Sequence, residues 1–186
     1  MNATLECIVK FGYENTTMAK IAGVAEVSQG SMQYHFGSKI EAIKAAINHL
    51  HEVRLAQHRR ALEEVPLGAD PMAHVIELYW KQLNEAHFIA YQDLVIAART
   101  HPELASVMKP AYQRFVQAWR YNAVEVIPEW AKVQDFELIA DIGQYILEGL
   151  AYGQLNGQLS KPRTQQVLQF AKKLLIDMVE ENIRSK

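Results

Sequence analysis

The chain has 186 residues, 49% hydrophobic and 22% charged, with a formal net charge of -2; this is enough apolar material for a real core in one or two small domains and excludes a disordered chain. Near-neutral charge excludes a broadly basic nucleic-acid surface, so any DNA contact must come from local geometry. Cys7 is the single cysteine, which rules out an internal disulfide and points to a reducing, cytoplasmic compartment, and neither an apolar run long enough to span a membrane nor a signal-peptide pattern is present.

Apolar residues recur at helical spacing almost throughout, and no segment alternates with period two, so the expected fold is all-α with about nine helices. Leu5, Ile8 and Val9 form an i, i+3, i+4 stripe that stops at Gly12, giving a short first helix. Ile21, Ala22 and Ala25 mark a second, capped by Thr16 or Thr17, and Ser28 caps a third that runs to about Tyr34. Gly30 lies in the first turn of the third helix, where a missing side chain lets another backbone come close. Ser38 and Glu41 have the spacing of a capping box and open a long fourth helix through Ile43, Ile47, Leu50 and Leu62 to about Val65. The segment Pro66-Leu67-Gly68-Ala69-Asp70-Pro71 breaks the pattern and reads as a linker, with a domain boundary inside it or within the helix before it. Further helices are expected near 71–84, 86–100, 103–127, 135–157 and 163–184, with Pro110 either starting a helix or kinking one.

The third helix has the makings of a DNA reader. Ser28, Gln29, Gly30, Ser31 and Gln33 are short or amide-bearing, and glutamine can pair with adenine in the major groove while serine can contact several bases. Tyr34, His35 and Lys39, with Thr16 or Thr17 and the helix amino-termini, supply donors for phosphates, while Met32 and Phe36 point inward. A short polar helix can equally be an ordinary surface turn. The succession of capped helix, turn, capped helix and boxed helix within about forty residues favours the reader.

Through Gly12-Tyr13, Thr17, Ile21-Ala22, Val27-Ser28, Gly30, His35-Phe36 and Ser38-Lys39, the stretch from Leu5 to Ile43 resembles the tetracycline-repressor (TetR) family of transcriptional regulators. Ala97-Ala98-Arg99-Thr100-His101-Pro102-Glu103-Leu104 looks like a stretch common in the ligand-binding domains of that family. The resemblance implies a homodimeric, ligand-responsive DNA-binding protein, usually a repressor, and no cofactor is expected. It places a helix-turn-helix domain at 1–45 and a ligand-binding and dimerisation domain at 46–186. Three features depart from the family. This chain starts near the middle of the usual first helix, without a basic arm, and its first 65 residues balance seven Lys/Arg against seven Asp/Glu, so weaker DNA binding with a shallow salt slope is expected. Glu26 stands where the family generally has a turn glycine, at a cost of about 1 kcal/mol if its φ is positive. Gln33 stands where the family generally has a phosphate-touching tyrosine, so that contact is lost, moved to Tyr34, or traded for base reading.

In the carboxy-terminal half, Trp80, Phe88, Tyr91, Tyr112, Phe115, Trp119 and Tyr145 are either packed core or the walls of a ligand cavity. With Asn84, Arg99, Arg120 and Gln144 on the same helices they fit an apolar pocket with a few polar anchors for a small-molecule effector. Arg99 and Arg120 suit either an anionic ligand group or a surface ion pair. Val167, Leu168, Ala171, Leu174, Leu175 and Met178 form a stripe wide enough to bury on two sides, and Ile139, Ile142, Ile146 and Leu150 form another. Gly149, Gly153 and Gly157 fall four apart on one face, where a partner helix or a ligand would pack close, with Gly157 fitting better as a helix stop. Ile142, Ile146, Gly149, Gly153, Leu168, Ala171, Leu175 and Met178 are therefore the expected dimer interface, a four-helix bundle between subunits.

An enzyme is disfavoured. His49, His51 and His58 crowd one helix, but His49 and His51 at i, i+2 do not share a face, and no metal motif accompanies them. Cys7 reads as a small buried residue. The alternative within the same fold is a dimer that has lost DNA binding and serves as a ligand-binding or protein-interaction module.

Overall fold

The structure is a computed structural model that describes Met1–Arg184, and among those residues it contains nine α-helices and no strand. The helices are α1 (Asn2–Asn15), α2 (Met18–Val24), α3 (Gln29–Phe36), α4 (Lys39–Glu63), α5 (Pro71–Leu83), α6 (Ala86–Ala97), α7 (Pro102–Val126), α8 (Phe136–Leu155) and α9 (Lys161–Arg184), with a 3₁₀ segment at Pro128–Lys132. None is long and apolar enough to cross a membrane.

The helix starts follow local chemistry. Thr17, rather than Thr16, caps α2, accepting from the Lys20 amide at 3.3 Å, and Ser28 caps α3, accepting from the Ser31 amide at 3.1 Å. Only half of the expected box at Ser38 forms. Its Oγ accepts from the Glu41 amide at 3.3 Å, but the Glu41 carboxylate accepts instead from Lys44 Nζ. Helical geometry in α1 breaks at Gly12, where φ is 73° and ψ 166°, a conformation open to glycine and strained for other residues. Pro110 lies inside α7 without ending it. Helix α6 stops at Ala97, earlier than expected, because residues 98–100 close into turns instead of continuing.

The chain gathers into two compact units. The first comprises Met1–Leu55 with Glu85–Gln117, the second Ala56–Asn84 with the residues from Ala118 onward, so the divisions fall within α4 and α7. In the first unit Cys7, Ile21, Ala22, Met32 and Ala42 make a small core, flanked by Ala3, Phe11, Met18, Val24 and Phe36. Helix α1 also packs along α6. That second packing face draws 85–117 into the amino-terminal unit. In the second unit α8 packs on α9, and both pack on α5. The Pro66–Pro71 break is a loop inside this second unit, between α4 and α5, and not a linker between units.

Candidate functional site

The α2–turn–α3 motif presents a polar surface. Gln29, Gly30, Gln33, Tyr34 and His35 are exposed, Ser31 is half-buried, and Met32 is buried beneath them, as its inward place in the helix requires. Tyr34 is 87% exposed and lies edge-on to the His35 ring. A Cβ added at Gly30 would meet only Ser28 Oγ at 3.8 Å, so nothing inside the chain requires glycine there. The turn before α3 runs through Glu26 at φ 55°, the left-handed region that a glutamate enters only at a cost.

Three of the expected contact residues are engaged elsewhere. Thr16 is buried, and its hydroxyl donates to the Gly12 carbonyl at 2.8 Å, which ties down the α1–α2 turn. Gln33 donates its side-chain amide to the Gly37 carbonyl just beyond its own helix. Lys39 Nζ donates to the Tyr13 carbonyl at 2.6 Å and sits 4.0 Å from the centroid of the Tyr13 ring, and burial lowers its pKa. Thr17 remains exposed at the start of α2.

On the far side of α1 the same unit forms a shallow groove of about 540 Å³, with Phe11 to Asn15 on one wall and Asp93, Ile96, Ala97, Arg99, Thr100 and His101 on the other. His101 spans it: Nε2 meets a Glu14 carboxylate oxygen at 2.8 Å, Nδ1 lies 2.8 Å from the Ala97 carbonyl, and the ring stands edge-on to Tyr13. Burial without a compensating cation raises the Asp93 pKa.

The residues expected in an effector pocket do not form one group within either unit. Phe88 and Tyr91 of α6 and Phe115 of α7 are buried in the first unit, with Phe88 and Tyr91 centroids 6.1 Å apart. Tyr112 is half-buried in the same unit. In the second unit Trp119 is half-buried and stacks on His58 at 4.6 Å. Trp80 there is half-buried, and its carbonyl accepts from the side chain of Asn84. Three assignments need correction. Asn84 and Arg99 are exposed, because they lie just past the ends of α5 and α6, and Tyr145 is 65% exposed on a solvent face of α8. Arg120 takes the ion-pair role, donating to Glu137 at 2.7 Å and to Asp141 at 3.0 Å.

Two residues of α4 that were not expected in a pocket complete the buried group. His51 stacks on Phe115 at 4.7 Å and meets Tyr91 edge-on at 5.3 Å, while the Arg54 guanidinium lies 4.5 Å over Phe115 and 5.2 Å over Phe88. Both are buried, at 5% and 7% exposure. Burial is the main cause that brings the His51 pKa down to about 4. The cationic Arg54 and Arg114 add to it, while a hydrogen bond to the Ala111 main chain opposes it. His51 Nε2 is buried and makes no hydrogen bond, a cost of about 1–3 kcal/mol. The sequence signal was the i, i+3 pairing of His51 and Arg54, hidden because charged residues on a long helix usually face solvent.

The dimer-interface expectation also changes. Leu168, Ala171 and Leu175 are buried within their own unit, and a Cβ at Gly143 would sit 3.2 Å from Leu175. Gly153 is buried, and a Cβ added there would sit 3.1 Å from Leu159, while Gly157 takes a positive φ beyond the end of α8, as a helix stop does. Ile142, Ile146 and Met178 are half-buried, and Gly149 is open, with nothing near its Cβ position. Among the described residues of α8 and α9, the exposed large apolar side chains are Leu138, Tyr145, Tyr152 and Leu155 of α8 with Phe170 and Leu174 of α9, each 41% to 72% exposed.

Comparison with known proteins agrees with this layout. A family model described as bacterial regulatory proteins, tetR family, matches residues 1–46. The HTH-type transcriptional regulator TtgR of Pseudomonas putida is 32% identical over 102 residues, which cover 54% of this chain and 43% of that protein. The chain spans about half the length of the curated relatives it matches. Among solved structures, the fatty acid degradation regulator FadR from Bacillus halodurans aligns with a TM-score of 0.72 at 14% identity, over 94% of this chain and 91% of that one. A TetR family transcription regulator from Marinobacter aquaeolei aligns at 0.64 with 15% identity, over 96% and 92%. These likenesses extend the shared helical fold beyond the amino-terminal match. Residues 1–46 thus match the tetR family model in sequence, and the described chain shares its helical fold with the aligned structures.

Proposed function

We propose that this chain works in the cytoplasm as a homodimeric repressor that reads a palindromic operator through α3 and leaves it when a small, largely apolar effector binds. The carrying observation is the capped α2–turn–α3 unit with Gln29, Gly30, Tyr34 and His35 exposed on one polar surface over a buried Met32. Under this reading residues 1–45 contact DNA and 46–186 bind effector and partner. Ser28, Gln29, Gly30 and Ser31 approach bases, Thr17, Tyr34 and His35 hold phosphates, and Thr16 and Lys39 brace the reader from inside. Two such helices must reach successive major grooves about 34 Å apart, which requires a dimer. The effector lowers operator affinity by the difference between its affinities for the DNA-competent and other subunit arrangements. Because α6 packs along α1, with His101 bridging Glu14 and Ala97, a shift of α6 reaches the reading unit through α1.

The second reading, a dimer without DNA binding, draws support from Gln33 and Lys39, whose polar groups are turned to the chain's own carbonyls. Footprinting of the adjacent promoter region separates the two. A protected palindrome supports the repressor, and the absence of any protected site supports the module.

A further inference from the structure

The α4–α6–α7 cluster of the first unit combines features that a plain core does not need. His51 is 95% removed from solvent, yet its Nε2 has no hydrogen-bonding partner, and native structures leave such an atom where a ligand or water completes the site. One helical turn on, the buried Arg54 guanidinium lies across the Phe115 and Phe88 faces. The charged groups acting on His51 are Arg54 from its own helix and Arg114 from α7, both cationic, while α6 presents Tyr91 and Phe88. A buried, electropositive cluster of low polarity among aromatic rings is the environment in which an acid group is held strongly, since a guanidinium can grip a carboxylate through two parallel N–H donors.

We propose that the effector carries an acidic group on a planar apolar body, with the acid held by Arg54 and His51 and the body between Phe88, Tyr91 and Phe115. This rests on the effector-released reading above and names the ligand class of that site. It also gives His51 a definite part. With its other nitrogen bonded to the Ala111 main chain, a neutral ring offers Nε2 only as an acceptor, whereas a protonated ring donates to the incoming acid. An anion seated there reverses the local field, so binding draws a proton onto His51.

Calorimetric titration of the full chain at about pH 6, between the ordinary and the depressed values of the histidine, tests this without DNA, so the outcome is independent of operator binding. The probes are benzoate and naphthoate against benzamide and naphthamide. At least one acid should bind about tenfold or more tighter than its amide, and titrations in buffers of different ionisation enthalpy should show proton uptake for the acid and none for the amide. Arg54→Met should abolish the preference for the acid, and Arg99→Met, at an exposed residue outside the cluster, should keep it. Equal affinity of acids and amides, no binding of either acid, or acid binding without proton uptake in the unmodified chain overturns the proposal whatever the variants do. A footprint released by neutral compounds alone would remove this ligand class while leaving the repressor reading in place.

Discussion

Glu26 occupies the turn at φ 55° with its side chain exposed, so the strain of a left-handed residue has no visible compensating contact there. Replacing it with glycine removes about 1 kcal/mol of strain and returns part of that through the freer unfolded chain. Urea unfolding of Glu26→Gly should therefore show a midpoint equal to or above that of the unmodified chain, with a gain of up to about 1 kcal/mol, and a clear loss would mean that the carboxylate has a structural role. His51 gives a pH dependence of the same sign as a carboxylate whose pKa is depressed by folding. Its folded pKa of about 4 lies below the ordinary 6.5, so between those values the unfolded chain holds the extra proton and stability falls as the pH drops. The histidine alone contributes on the order of 3 kcal/mol that is present above 6.5 and lost as pH falls toward 4. Stability measured across that window should fall less steeply for His51→Phe than for the unmodified chain.

At the scale of elements, α3 is held by its cap and, in the proposed function, meets DNA through its outer face, and substitutions should separate the two. Ser28→Ala removes the acceptor for the Ser31 amide and should cost about 1 kcal/mol of stability. Tyr34→Ala, at a ring that is 87% exposed, should leave the unfolding midpoint within about 0.5 kcal/mol of the unmodified chain while weakening operator binding in a gel shift. Equal operator affinity of the two proteins would remove Tyr34 from the interface. The helix starts were legible because capping is settled within four residues: Thr17 and Ser28 announce α2 and α3 wherever the rest of the chain lies. What lies on each face of a long helix is settled by neighbours far away in sequence. Leu168, Ala171 and Leu175 alternate with Phe170 and Leu174 along α9, and periodicity shows a wide stripe without saying which half α8 covers. The same limit hid His51 and Arg54, whose burial follows from α6 and α7 packing over that part of α4 and not from any local signal.

For the molecule as a whole, the proposed pairing of subunits would draw on the apolar side chains exposed on α8 and α9. Phe170 at 72% exposure and Tyr145 at 65% are the largest of them, and aromatic residues at the centre of an interface commonly carry its energy. Phe170→Asp should weaken self-association by ~30-fold or more, read by sedimentation as a shift from dimer to monomer, and operator binding should decline with it. A Phe170→Asp protein that stays dimeric would put the subunit contact elsewhere. The same face has a consequence for how much of the regulator a cell can keep. If pairing is what shields these rings, the heat-denaturation midpoint must climb with protein concentration, and newly made single subunits present the greasy surface that quality-control proteases seek. Supply of the regulator would then be corrected by turnover: surplus unpaired copies are cleared, and paired ones persist.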